Sequence, residues 1–337
     1  MLEKKFKVRE KPKKITLSDY EARMFADAFK KHPKQGELFA RNTLVSMVST
    51  LDTLFSKLFE YYYTEHPSKL SIENKQITFS ELKSIKKIEE AQKFLISREV
   101  EILLLKNGFK ERLKILKEDL GISIPEDSQH IKDIKKLVKI RNLIVHNEGR
   151  ADEEFVSLYG DGKIKKGELI KVGQKYLADA LNLVYFVGSY ILQIAQIKLS
   201  SGQIKTEDFI LNDATHLLLK KEQYTFLRPM YEVAIGGGLD DLNQKMIVIN
   251  YCIGLKRQGK TAEHIGKVLE VEDWSSAPDY VEMALEALRG NEDNFYVILN
   301  KLIKNKTISK DELSEWEIFC FYKKKPKFKI IQKKLLG

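Results

Sequence analysis

From Glu37 to His66 the chain runs without a glycine or a proline, in "GELFARNTLVSMVSTLDTLFSKLFEYYYTEHP". Val45, Val48, Leu51, Phe55, Leu58 and Phe59 recur there at the 3.6-residue period, which predicts one long helix with a single apolar stripe, ended by Pro67. A helix of this length cannot bury its stripe alone, so the rest of the chain must supply helices to cover it. Only seven prolines occur in 337 residues, and the same period recurs throughout. The expected fold class is therefore all-α.

"TLSDYEARMFADAFKKH" reads as a first helix behind a Thr or Ser cap, following a basic leader within residues 1–35. "TFSELKSIKKIEEAQKFLISREVEILLLKNGFKERLKILKEDLGI" reads as two or three shorter helices closed by Gly121. A helix from about Ile131 to Asn147 follows, with Gly149 as its stop. In "EEFVSLYGDGKIKKGELIKV", Asp-Gly between two apolar patches predicts a short β-hairpin or structured loop near 153–170. A last helix of this region runs from Gly173 to Leu199. "SSGQ", Ser200–Gln203, is the most linker-like point, so residues 36–200 are expected to form one bundle and 201–337 another domain.

That second domain repeats weakly. "LKKEQYTFL", "LKRQGKTAEHI", "LRGNEDNFYVI" and "FYKKKPKFKII" each carry an apolar residue through a polar turn to a new apolar face. "INYCIGLKRQGKTAEHIGKVLE" is similar to a tetratricopeptide repeat, with a small residue and an aromatic on its first helix and Gly-Lys at the turn. The resemblance implies stacked helical hairpins, which would suit a regulatory protein as partner.

Net charge is +10, but seven Lys/Arg in residues 1–14 and seven lysines in "KKKPKFKIIQKKLLG" account for it, and the middle of the chain is nearly neutral. Basic ends serve solubility or track phosphates. Cys252 and Cys320 have no metal or disulfide spacing, and the charged start has no apolar core, which together predict a cytoplasmic protein. The apolar run from Leu177 is interrupted by Asp179, Asn182, Gln193 and Gln196, so a buried helix is expected there and no membrane span. "AIGGGLDD" lacks the Lys-Ser/Thr of a phosphate loop and reads as a turn between hairpins. "FEYYY" reads as helix-end packing or a dimer face, and Trp274 and Trp316 as repeat packing. No cofactor loop, metal spacing or nucleophilic triad is present in the sequence.

One place resists a purely structural reading. Projected at 100° per residue, Ile134, Leu137, Val138, Ile144 and Val145 share one wedge, and Arg141 falls in the middle of it. A guanidinium cannot be neutralised, so it needs a partner, and Asp52 in the stripe of the long helix is the expected one. Asn142 and His146 follow within the next turn or so. A guanidinium, an amide and an imidazole at one helix end suit a phosphodiester: charge stabilisation, positioning and proton transfer. Taken singly, His146 and Asn142 read as ordinary helix-end and surface residues, and Arg141 as half of a structural ion pair.

"RNLIVH", Arg141–His146, resembles the R-x4-6-H signature of HEPN domains, in the form where Asn follows Arg. "LVSMVSTLDTLFSKLF" is similar to that family's long early helix, with Asp52 where the commoner residue is Glu, and the likeness spans roughly 36–200. The resemblance implies a metal-independent endoribonuclease of toxin, abortive-infection or antiviral type, built as a homodimer and acting on RNA such as transfer or messenger RNA. It implies that Arg141 stabilises the transition state, His146 moves the proton of the attacking 2′-hydroxyl, and Asn142 orients the pair, leaving a 2′,3′-cyclic phosphate. It leaves open a bundle that only dimerises while the repeats bind partners, and a helper to a nucleotidyltransferase carried on another chain.

Overall fold

The computed structural model describes residues 33–85, 87–199 and 210–336. Its regular elements are all helical, and no strand occurs among the described residues. The expected first helix, the basic leader and the Ser200–Gln203 linker lie outside the described residues.

The chain divides into two compact units, one of residues up to Ser46 with Ile140–Ala178, the other of Met47–Lys139 with Asp179 onward. This partition runs across the expected 36–200 bundle. Three helices contribute to both units: α1 (Pro33–Glu65), α5 (Gln129–His146) and α7 (Gln174–Leu199). Each is long enough to serve two sets of neighbours. By length and composition α7 could cross a membrane, yet Ser189 and Gln193 lie among its buried residues.

In the larger unit, α1 buries Val48, Leu51, Phe55, Leu58 and Phe59 as its stripe requires. Around it lie α2 (Phe79–Ser84), α3 (Ile88–Lys106) and α4 (Phe109–Glu118). Thr78 and Glu81 form a capping box on α2, and Phe109 meets Phe55 edge-on at 5.7 Å. In the aromatic end of α1, Tyr62 and Tyr63 are buried and both donate to Asp119, to its carbonyl and its carboxylate respectively. Burial, reinforced by the Asp119 contact, pushes the Tyr63 phenol far above its ordinary range. Tyr61 alone of the three tyrosines stays exposed, so helix-end packing explains most of "FEYYY".

His130, in the first turn of α5, packs against the stacked rings of Phe186 and Phe226 with ring centroids 5.0 and 4.8 Å away, and its Nε2 lies 3.2 Å from the Thr225 carbonyl. Burial pushes its imidazole below the ordinary value, against the Thr225 hydrogen bond and the Asp133 charge, which pull it up. A histidine held low in the fold favours the neutral ring. The stability it adds is complete above the unfolded value of about 6.5 and is lost as pH falls through the folded value. His130→Phe is therefore expected to flatten the fall of the urea midpoint as pH drops below the unfolded value of about 6.5. An unchanged slope would remove His130 from the acid sensitivity of this unit.

Four helical hairpins follow, with turns where the weak repeat places them. They are α8 (Ile210–Lys220) with α9 (Leu227–Ile235), α10 (Asp241–Arg257) with α11 (Ala262–Leu269), α12 (Asp279–Arg289) with α13 (Glu292–Lys304), and α14 (Lys310–Glu315) with α15 (Pro326–Leu336). The glycine run is the turn between α9 and α10, as expected, and Gly237 and Gly238 both adopt left-handed backbone there. The second turn uses Gly259 at φ +74°, then Thr261, whose hydroxyl caps α11. The basic C-terminal segment is a helix and no free tail: Phe328 of α15 is fully buried, Lys325 pairs with Glu292, and Lys327 sits 4.3 Å from the Tyr296 ring centroid.

Gly254 shows why a small residue stands on α10. A Cβ there would lie 2.5 Å from a methyl of buried Leu227 and 3.5 Å from the Tyr224 ring. Gly254→Val is expected to push α9 away from α10 and cost about 1–3 kcal/mol in urea unfolding. An unchanged midpoint would mean that this contact yields freely.

Candidate functional site

Arg141, Asn142 and His146 occupy the last turns of α5, in the smaller unit. Arg141 is half-buried, and Asn142 and His146 are exposed one turn apart. The expected apolar wedge needs correction. The buried positions are Ile131, Ile134, Leu137, Ile140 and Leu143, whereas Val145 is 51% exposed and Ile144 and Val138 are only half-buried. A spacing of three residues turns 300°, so a stripe built on it winds back about 60° per step. A projection that assumes one fixed face therefore mistakes the C-terminal end, where Ile140 and Leu143 carry the packing. Arg141 lies beside that buried face and not at its centre.

The end of α5 is tightly specified. The amides of Asn147 and Gly149 both donate to the Leu143 carbonyl, at 2.8 and 2.9 Å. Glu148 and Gly149 are both left-handed, at φ +51° and +78°, which turns the chain sharply just after His146. Asn147 closes the turn by donating its side-chain amide to the Arg150 carbonyl at 2.7 Å.

Arg41, on α1, is a residue that sequence reasoning missed. Its guanidinium donates to the Glu148 carbonyl at 3.1 Å and to Glu37 at 2.8 Å. It lies so close over Gly149 that a Cβ there would be 3.3 Å from its Cζ. Gly149 is thus required twice, for its backbone angle and for the approach of Arg41. The only sequence signal was the pairing of Glu37 and Arg41 at i,i+4, which commonly marks a solvated helix face.

Of the two expected forms of the segment after Gly149, a hairpin or a structured loop, the structure has the loop, with a short helix in it. Residues Glu153–Tyr159 form α6, capped by Asp152 accepting from the Phe155 amide at 2.7 Å. Asp161 and Gly162 are both left-handed, so the Asp-Gly turn signal is real, but no strands flank it. Phe155 and Leu158 at three apart suit a helical turn, whereas Val156 and Leu158 at two apart suit a strand, so the short run FVSLY reads either way. A single antiparallel bridge, Arg150 with Leu169, closes the loop, aided by Arg150 donating to the Gly167 carbonyl at 3.0 Å and the Ile170 amide donating to the Gly149 carbonyl. A structured loop is held directly against the helix end that carries His146.

Asp52 belongs to the larger unit, where its carboxylate pairs with Arg112 of α4. Arg112 also donates to the carbonyls of Asn107, at 3.1 Å, and Leu104, at 2.8 Å. It therefore ties the C-terminal end of α3 to α1, a structural use of Asp52 that the sequence did not reveal.

Chemically, the end of α5 presents an imidazole and a carboxamide to solvent beside a half-buried guanidinium, on a backbone fixed by Arg41 and the bridged loop. Such a set can bind an oxyanion and exchange a proton. No family model, curated protein or solved structure matches the chain.

Proposed function

We propose that this chain is a metal-independent endoribonuclease of HEPN type, of the kind met in toxin and antiviral-defence systems. The observation that carries the reading is the placement of "RNLIVH" at the rigid end of α5, with Asn142 and His146 exposed and Arg141 beside them. In this reading the RNA 2′-oxygen attacks the adjacent phosphorus as the bond to the 5′-oxygen breaks. The 2′-hydroxyl proton leaves to a base and a proton reaches the 5′-oxygen, with the cyclic phosphate as product. His146 serves proton transfer, Arg141 neutralises charge developing on the phosphoryl oxygens, and Asn142 orients the group in flight. Asp52 supports the fold through Arg112.

Each chain supplies one such histidine, whereas the step needs both an acid and a base, so a homodimer is proposed. Exposed Leu38, Phe39, Val145 and Leu158 in the same unit offer apolar surface for a second copy. The hairpin array, read as tetratricopeptide-like, would hold a regulator.

The test is cleavage of total RNA and a labelled transfer RNA in EDTA by the purified chain, beside His146→Ala and Arg141→Ala. Cleavage with cyclic-phosphate ends that both substitutions remove supports the enzyme. Absent cleavage, or cleavage both variants retain, assigns the bundle to dimerisation and partner binding alone.

A further inference from the structure

Residues 323–337 hold seven lysines and no acid. The fold gives this charge a fixed place. Phe328 of α15 is fully buried, its ring 5.6 Å from that of Phe319, and Lys327 lies over the Tyr296 ring. Projected at 100° per residue, Lys333 and Ile330 fall on the side of α15 away from Phe328, with Lys329 beside them, and all three are exposed. A tail that only keeps a chain soluble needs neither a buried anchor nor a regular backbone.

Local electrostatics oppose this arrangement. No acid stands in the first turn of α15, where the lysines meet the positive end of the helix dipole. Lys329 and Lys333, four apart, repel each other. The acids on neighbouring elements are mostly engaged elsewhere: Glu317 pairs with Arg257 and Glu315 with Lys220, while Glu312 accepts from the Ser309 amide in a helix cap. Glu292 takes Lys325, and Asp293 and Asp311 join none of these lysines in an ion pair among the described residues. Lys324, Lys329 and Lys333 are left exposed and without an acidic partner there. A positive surface kept together against its own repulsion suits a partner whose charge is negative and repeated. A membrane would need an apolar face to enter. Phe328 is committed to the core, and Ile330, 56% exposed, is the one large apolar side chain that α15 exposes among the described residues. A phosphate backbone needs only cations.

We propose that α15 and the turn before it, with Lys323, Lys324 and Lys325, dock the phosphate backbone of RNA on the larger unit. Naming RNA among nucleic acids rests on the ribonuclease reading, whereas the location on α15 does not. Lysines act as point charges, so this surface holds phosphates without reading sequence.

The experiment is fluorescence-anisotropy titration of the full chain with a short labelled 2′-O-methyl oligouridylate, which keeps the phosphates and has no 2′-hydroxyl to attack. Lys324→Gln, Lys329→Gln and Lys333→Gln together are expected to weaken binding about tenfold to a hundredfold at about 50 mM salt. The slope of log Kd against log salt is expected to fall by about 2, since each single-strand phosphate contact adds about 0.7. Lys69→Gln, Lys93→Gln and Lys106→Gln remove the same charge from exposed positions elsewhere and are expected to change binding by less than about threefold. Both triple variants are expected to keep the parent melting temperature. No saturable binding to the oligomer, even where vesicles of phosphatidylserine and phosphatidylcholine are bound, would overturn the proposal, as would equal loss in the two triple variants or no loss from the first. The oligomer cannot be cut, so α15-dependent binding by a chain that cleaves nothing supports the surface while the ribonuclease reading fails, and cleavage without such binding does the reverse.

Discussion

His146→Ala is expected to lower EDTA-resistant RNA cleavage by about 10²–10⁴-fold, the range for loss of a positioned acid–base group. Arg141→Ala is expected to cost about 10²–10³-fold, as for removal of one oxyanion donor. The exposure of His146 makes this a clean test. His146 sits in the last turn of α5, so the variant's melting temperature is read beside its rate, and a large loss of rate at an unchanged melting temperature cannot be assigned to unfolding. Arg141 is half-buried and needs a control that preserves charge. Arg141→Lys keeps the cation but loses the planar fork, and is expected to recover little activity. Asn142→Ala is expected to lose about tenfold, since it removes an orienting contact and not a proton carrier. Asp52→Asn should act differently, weakening the pair with Arg112 and lowering stability by about 1–3 kcal/mol. Full activity in His146→Ala would dismiss the nuclease whatever the other variants did.

How far such features are legible in sequence depends on the range of the interaction that sets them. The α1 stripe from Val48 on, the glycine turn before α10 and the turns of the hairpins are local, and each lies where periodicity and turn residues put it, although Leu44 and not Val45 is the buried residue before Val48. The winding of the buried face along α5 is not local, because it depends on which neighbours each end meets. Val145 consequently reads as core and stands exposed. The region after Gly149 left a hairpin and a structured loop both open for another reason: Asp-Gly predicts the turn correctly, but a short apolar run does not distinguish a helical turn from a strand. Arg41 and Arg112 were hidden because both bond backbone carbonyls at helix ends, and carbonyls carry no sequence signature. The motif names the residues proposed to react, while the residues that hold the surrounding backbone came only from the fold.

The largest stability loss in the array is expected at Arg257, the last residue of α10. Its guanidinium donates to the Leu219 carbonyl at 3.2 Å and to Cys320 Sγ at 3.3 Å, and it pairs with Glu317. One group thereby joins the end of α8, the end of α10 and the short 3₁₀ turn at Glu317–Phe321. Side-chain exposure is 16% for Arg257 and 10% for Glu317, so solvent cannot rescue either charge if the other is lost. Arg257→Ala is expected to cost about 3–5 kcal/mol in urea unfolding, because it strands a buried carboxylate, while the Leu219 carbonyl keeps its bond from the Glu222 amide. Arg257→Lys restores the charge but not three simultaneous bonds, and is expected to recover less than half of the loss. Arg257→Met combined with Glu317→Leu removes both charges at similar volume and is expected to return close to the parent stability. If that double substitution were as damaging as Arg257→Ala, the cost would lie in lost packing and the lost bond to the Leu219 carbonyl, and the ion pair would not be what binds the fourth hairpin to the first two.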